Sequence, residues 1–83
     1  MPTTPRSRRQ ATAAVAVNGE AIRKLRQDRG IEVAHLATRL GISRAYLCKI
    51  ELGHSPRVGV TVWAGIVRNL RPETPDALRA VAA

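Results

Sequence analysis

The run SRAYLCK, residues 43–49, carries the side chains of this chain best suited to chemistry: two cations, two hydroxyls and a thiol, whose donors match phosphates and base edges. Arg44 presents a planar fork of donors that matches the O6 and N7 acceptors of guanine. Lys49 lies five positions on, close to the same helical face, and can read a second guanine. Ala45 between them is small enough to let a helix approach closely and to meet a thymine methyl. A plainer role is open to both cations, contact with phosphate, which positions a protein without specifying sequence. Tyr46 can offer its hydroxyl to a phosphate or pack on the preceding helix. Ser43 is an N-cap that can also donate to phosphate. Four neighbours are candidates for the DNA backbone: His35 and Arg39 before this run, Ser55 and Arg57 after it. Arg6, Arg8 and Arg9 form a basic arm with two roles open to it, entry into an adjacent minor groove or a simple increase in local affinity.

The overall charge points the same way. Fourteen Lys+Arg against six Asp+Glu leave +8, and twelve of the fourteen cations are Arg. Residues 1–17 carry +3, residues 18–71 carry +6 and residues 72–83 carry −1. A polyanionic partner is implied, nucleic acid before membrane, because no apolar stretch is long enough for a signal-peptide core or a transmembrane helix. One Cys excludes an internal disulfide, and two His plus one Cys cannot close a tetrahedral zinc site. No cofactor or small-molecule ligand is expected, and a reducing cytoplasm is the expected location. Tyr46 lacks the Arg-His-Arg surroundings of a recombinase nucleophile. The carboxylates Asp28, Glu32, Glu51, Glu73 and Asp76 fall on different elements, and Cys48 has no resolving partner. The chain is expected not to be an enzyme.

Eighty-three residues allow one small domain. Residues 1–16 read as a flexible basic arm, although the Ala/Val-rich stretch 11–17 is open to a short helical lead-in as well. Residues 17–83 read as the domain. Asn18 caps a first helix, about Gly19 to Arg29, with Ile22 and Leu25 on its inner face and Gly30 to end it. A second helix, about Glu32 to Leu40, turns Leu36, Ala37 and Leu40 inward and stops at Gly41. Ser43 caps a third helix through Leu52, with Leu47 and Ile50 buried and Gly53 closing it. Thr61 is placed to cap a fourth helix to about Leu70, packed through Val62 or Trp63, Ile66 and Leu70. Thr74-Pro75 opens a short fifth helix through Leu78 and Val81. The run 58–62, VGVTV, is the only strand-like segment and fits a loop entering a helix equally well. The fold class is all-α, a compact four- to five-helix domain, with Trp63 in its core.

The short Gly-containing turn between helices two and three makes residues 32–52 a helix-turn-helix pattern. The wider string is more specific. IRKLRQDRG, then LATRLGISRAYLCKIELG, then a Pro three residues on, resembles the lambda-repressor-like, Cro-type helix-turn-helix family over about residues 17–71. The resemblance rests on Ile22, Leu25, Arg26, Leu36, Ala37, Gly41, Ile50, Glu51, Gly53 and Pro56. It implies that helix three enters the major groove and that Arg26 and Glu51 form an ion pair between helix one and the end of helix three. It also exposes a departure. Members of the family usually open helix two with Ser or Thr followed by a Gln that grips a phosphate, and here Glu32 and Val33 stand in those places.

The function implied is a sequence-specific, double-stranded-DNA-binding transcriptional regulator, a small repressor of bacterial or phage type. One helix reads only a few base pairs, so a homodimer on a pseudo-palindromic operator is expected. Val58, Val60, Trp63, Leu78 and Val81 are candidates for its interface. Three rivals stay open: an antitoxin-type interaction protein working through the acidic tail, an excision factor, and a non-specific basic binder of DNA or RNA.

Overall fold

The computed structural model describes residues 14–80. Four helices follow in order: α1 (Gly19–Asp28), α2 (Val33–Leu40), α3 (Arg44–Leu52) and α4 (Val60–Leu70). Two three-residue strands, β1 (Ala14–Ala16) and β2 (Arg57–Gly59), pair antiparallel with Val15 opposite Val58. A 3-10 turn, Pro75–Leu78, follows, and after it Arg79 bridges antiparallel to Val17. The domain is thus mostly helical, with one small sheet that ties β1 to the segment between α3 and α4.

The helix ends follow local chemistry. The Asn18 side chain accepts from the Ala21 amide at 3.1 Å, and Ser43 Oγ accepts from the Tyr46 amide at 3.0 Å, each satisfying a donor that the first helical turn leaves without a partner. α2 starts without such help, because Glu32 at its N-cap makes no side-chain capping bond. Gly41 stands at φ 71°, in the left-handed region that an L side chain enters at a cost. That geometry lets the Ile42 amide reach back to the Ala37 carbonyl and reverses the chain within the three residues between α2 and α3.

The core is one cluster: Ile22 of α1, Leu36 and Ala37 of α2, Leu47 and Ile50 of α3, Ile66 and Leu70 of α4, with Val17, Val58 and Leu78. Val62 and Trp63 pack against it from α4 and are half-buried. Two glycines permit close helix crossings. A Cβ on Gly19 would collide with the Ile50 carbonyl and come within 2.9 Å of the Glu51 carbonyl, so α1 begins directly on the last turn of α3. A Cβ on Gly65 would meet Leu40 Cδ2 at 2.8 Å, where α4 crosses α2.

The structure differs from the sequence reading in four places. Residues 14–16 form a strand, neither arm nor helical lead-in. The segment after them is tied on both sides, with the Val17 amide bonded to the Pro56 carbonyl and the Asn18 amide to the Leu78 carbonyl. The N-cap of α4 is Gly59, two residues before Thr61, because pairing of β2 fixes the extended backbone up to that glycine. The segment after Pro72 is a four-residue 3-10 turn, in which Thr74 makes no capping bond. Finally, Val58 is only 2% exposed, and Leu78 is equally buried, so both belong to the core of one chain and cannot form a dimer face. Val81 lies outside the described residues.

Candidate nucleic-acid interface

α3 has two faces of opposite character. Leu47 and Ile50 are fully buried, and Tyr46 packs against the same cluster. Arg44, Ala45, Lys49 and Leu52 are exposed, with Cys48 half-buried among them. At 3.6 residues per turn, positions i, i+1, i+4, i+5 and i+8 span an arc of about 140°, so these five side chains form one stripe along the helix. Arg44 and Lys49 edge the stripe, and the small or apolar Ala45, Cys48 and Leu52 run down its middle. Leu52, 64% exposed, is the most exposed large hydrophobic residue among those described.

An ion pair fixes the rotation of α3. Arg26 Nε donates to Glu51 Oε2 at 2.7 Å, and Nη2 donates to Glu51 Oε1 at 3.1 Å, a fork-to-fork pair. The third nitrogen, Nη1, donates to the Ile31 carbonyl at 2.8 Å and so ties the α1–α2 loop to the same point. The two side chains are 12% and 5% exposed. The hydrogen bond to Glu51 raises the Arg26 pKa above its ordinary value, burial partly opposes it, and the Glu51 charge adds to the rise. A raised arginine pKa gives a contribution that is fully present below the ordinary arginine range and is lost only above it. Arg26 therefore stays charged at every working pH.

The flanking candidates surround α3. His35 and Arg39, one turn apart on α2, are both exposed. Ser43 accepts at its oxygen from the Tyr46 amide, which leaves its own O–H able to donate outward. Past α3 the chain closes tightly, with the His54 and Ser55 amides both donating to the Lys49 carbonyl at 2.9 and 3.2 Å. Ser55 is half-buried, and Arg57 is exposed on β2 opposite Ala16. Tyr46 stands apart from the stripe, with its ring among core residues. Arg6, Arg8 and Arg9 lie outside the described residues.

One structural cation escapes sequence reasoning. Arg29 Nε donates to the Leu70 carbonyl at 2.8 Å and Nη2 to the Arg71 carbonyl at 2.7 Å, so α1 caps the C-terminus of α4. As a basic residue at a helix end it looks like any other favourable last-turn cation, and its partners are 41 and 42 residues away. Among the described residues no group of three or more His, Cys, Asp or Glu is placed to hold a metal ion, and no helix is long and apolar enough to cross a membrane.

Comparison with known proteins agrees with the helix-turn-helix architecture. A family model described as a helix-turn-helix domain matches residues 19–82, from the first residue of α1 almost to the chain's end. No curated protein sequence matches. Among solved structures, the chain is similar to SinR, described as the master regulator for biofilm formation and crystallised in complex with DNA. That similarity has a TM-score of 0.63 at 20% identity and covers 71% of this chain and 95% of the other.

Proposed function

We propose, starting from a chain that belongs to the helix-turn-helix domain family, that this protein is a sequence-specific regulator of transcription that binds double-stranded DNA and acts as a small repressor of bacterial or phage type. One observation carries the reading. Arg44, Ala45 and Lys49 stand exposed on α3, while Leu47 and Ile50 lock the opposite face and the Arg26–Glu51 pair holds one flank. A short helix held this rigidly can enter a major groove about 12 Å wide with its side chains already aimed at base edges.

In this reading Arg44 and Lys49 read guanines and Ala45 meets a thymine methyl. Ser43, His35, Arg39, Ser55 and Arg57 fix the register on phosphates, with Arg6, Arg8 and Arg9 adding charge from the arm. Tyr46 supports α3 from behind. Recognition rather than catalysis is the activity, and it needs no cofactor. Two copies bind half-sites about 10–10.5 base pairs apart, one helical turn. Val60, 51% exposed at the start of α4, and the half-buried Trp63 form the apolar face that joins them. Bound at a promoter, the dimer excludes polymerase.

The test compares Arg44→Ala and Lys49→Ala with the parent protein on a duplex recovered by selection and on a scrambled duplex of equal length. Each base-reading side chain accounts for about 1–3 kcal/mol of discrimination. Each substitution should therefore weaken binding to the selected duplex by about five- to 150-fold and to the scrambled one far less. Equal losses on both duplexes would reduce the two cations to phosphate contacts.

A further inference from the structure

A surface cleft of about 260 Å³ runs beside the α3 stripe, walled by Arg23 and Arg26 of α1, Val33 at the start of α2, and Cys48, Glu51 and Leu52 of α3. Cys48 and Leu52 belong to both the stripe and the cleft, so the cleft continues the groove-facing surface toward α1. Its polar groups are unequally available. Arg26 and Glu51 are consumed by each other, and Val33, Cys48 and Leu52 offer no strong donor. Arg23 is exposed and makes no ion pair or hydrogen bond among the described residues.

We infer that Arg23 is a DNA-backbone contact, holding a phosphate of the strand that borders the groove on the α1 side of α3. The inference rests on the proposed insertion of α3 into the major groove. A helix lying in that groove has a phosphate backbone along each flank, and the flank beyond Cys48 and Leu52 is this cleft. A phosphate arriving there meets Val33, Cys48 and Leu52, the mutually paired Arg26 and Glu51, and one available guanidinium, which can bind two of its oxygens at once. Arg23 thereby supplies the α1 side with a cation, as Arg39 and Arg57 supply α2 and β2.

Its sequence neighbour provides an internal control. Lys24 is also exposed on α1, but one residue is about 100° of helix rotation. It lines a different cleft with Asp28 and Glu73, on the side of α1 that meets the 3-10 turn. Arg23→Gln and Lys24→Gln remove the same charge from adjacent exposed positions, so a difference between them reports location rather than net charge.

The experiment titrates a fluorescent 20-base-pair duplex of mixed sequence with the full chain and both variants, from about 50 to 200 mM salt. Each phosphate neutralised contributes about 0.9 to the slope of log K against log salt. Arg23→Gln should lower that slope by about 0.9 per bound protomer and weaken binding about tenfold or more, as expected for loss of one charge-assisted hydrogen-bonded contact. Lys24→Gln should change affinity less than twofold. The same factor should appear on a selected duplex, because a phosphate contact carries no sequence preference. If both variants match the parent, or fall equally, Arg23 holds no phosphate, and the inference fails while DNA binding by α3 stands. If the parent chain binds no duplex at all, the proposed function fails and takes this inference with it.

Discussion

Removal of the Glu51 carboxylate is the sharpest perturbation available to this fold. Glu51→Ala deletes the acceptor of two charge-assisted bonds, at 2.7 and 3.1 Å, and strands a guanidinium that is only 12% exposed. Breaking a buried ion pair on one side costs about 3–5 kcal/mol. Two features place this case at the lower end: Arg26 keeps its bond to the Ile31 carbonyl, and a cleft of about 260 Å³ adjoins the pair and gives water access. The expected loss is about 3 kcal/mol, against a total stability on the order of 4–12 kcal/mol for a chain of this length. For a domain of this size that is a fall in Tm of about 12–24 °C. Replacing both partners, Arg26→Met with Glu51→Leu, leaves no buried charge and should recover most of the loss. Urea denaturation followed by helical circular dichroism of the parent, Arg26→Met, Glu51→Leu and the double variant gives the four stabilities of a double-mutant cycle. A coupling of about 2–3 kcal/mol is expected. The double variant should still bind DNA more weakly than the parent, because apolar contact restores packing without the fork that sets the rotation of α3. A loss under about 1 kcal/mol in Glu51→Ala, or a double variant as unstable as the single one, would refute the reasoning.

Three further outcomes follow from the packing. Gly19→Ala drives a Cβ into the Ile50 and Glu51 carbonyls, backbone atoms that cannot step aside, and should cost about 3 kcal/mol in urea denaturation; a neutral result would mean that α1 does not rest on α3. Arg29→Ala removes both donors to the end of α4 and should cost about 1 kcal/mol, with faster hydrogen exchange confined to the last turn of α4; exchange unchanged there would show that the cap is idle. Arg71 holds φ 50° as a non-glycine residue, so Arg71→Gly should stabilise the domain by about 0.5–1 kcal/mol, a Tm rise of a few degrees; a fall would show that its side chain contributes more than its backbone costs.

Helix positions were legible because each has a local cause. Asn18 and Ser43 cap within three residues, and Gly30, Gly41 and Gly53 occupy positive φ where helices end. The 3.6-residue spacing of Ile22, Leu36, Leu47, Ile50, Ile66 and Leu70 marks the inner faces directly. What the sequence hid depends on distant partners. The strand-like run at 58–62 proved to be strand only up to Gly59, and nothing local marked its partner at residues 14–16, so the burial of Val58 in the core of one chain could not be read. Arg29 acts on carbonyls some forty residues away. Within the candidate interface, the stripe of Arg44, Ala45 and Lys49 could be read from helix periodicity alone. The cleft beside it could not, since Arg23, Val33 and Cys48 come from three helices whose crossing only the fold defines.

The measurement that bears most directly on the central claim is selection from a random duplex library at about physiological salt, followed by sequencing of the retained DNA. Base reading by a dimer should yield a two-fold motif with half-sites about one turn apart and guanines where Arg44 and Lys49 reach the groove. Tight retention without any enriched sequence would contradict it, and would leave α3 as a basic surface for DNA of any sequence.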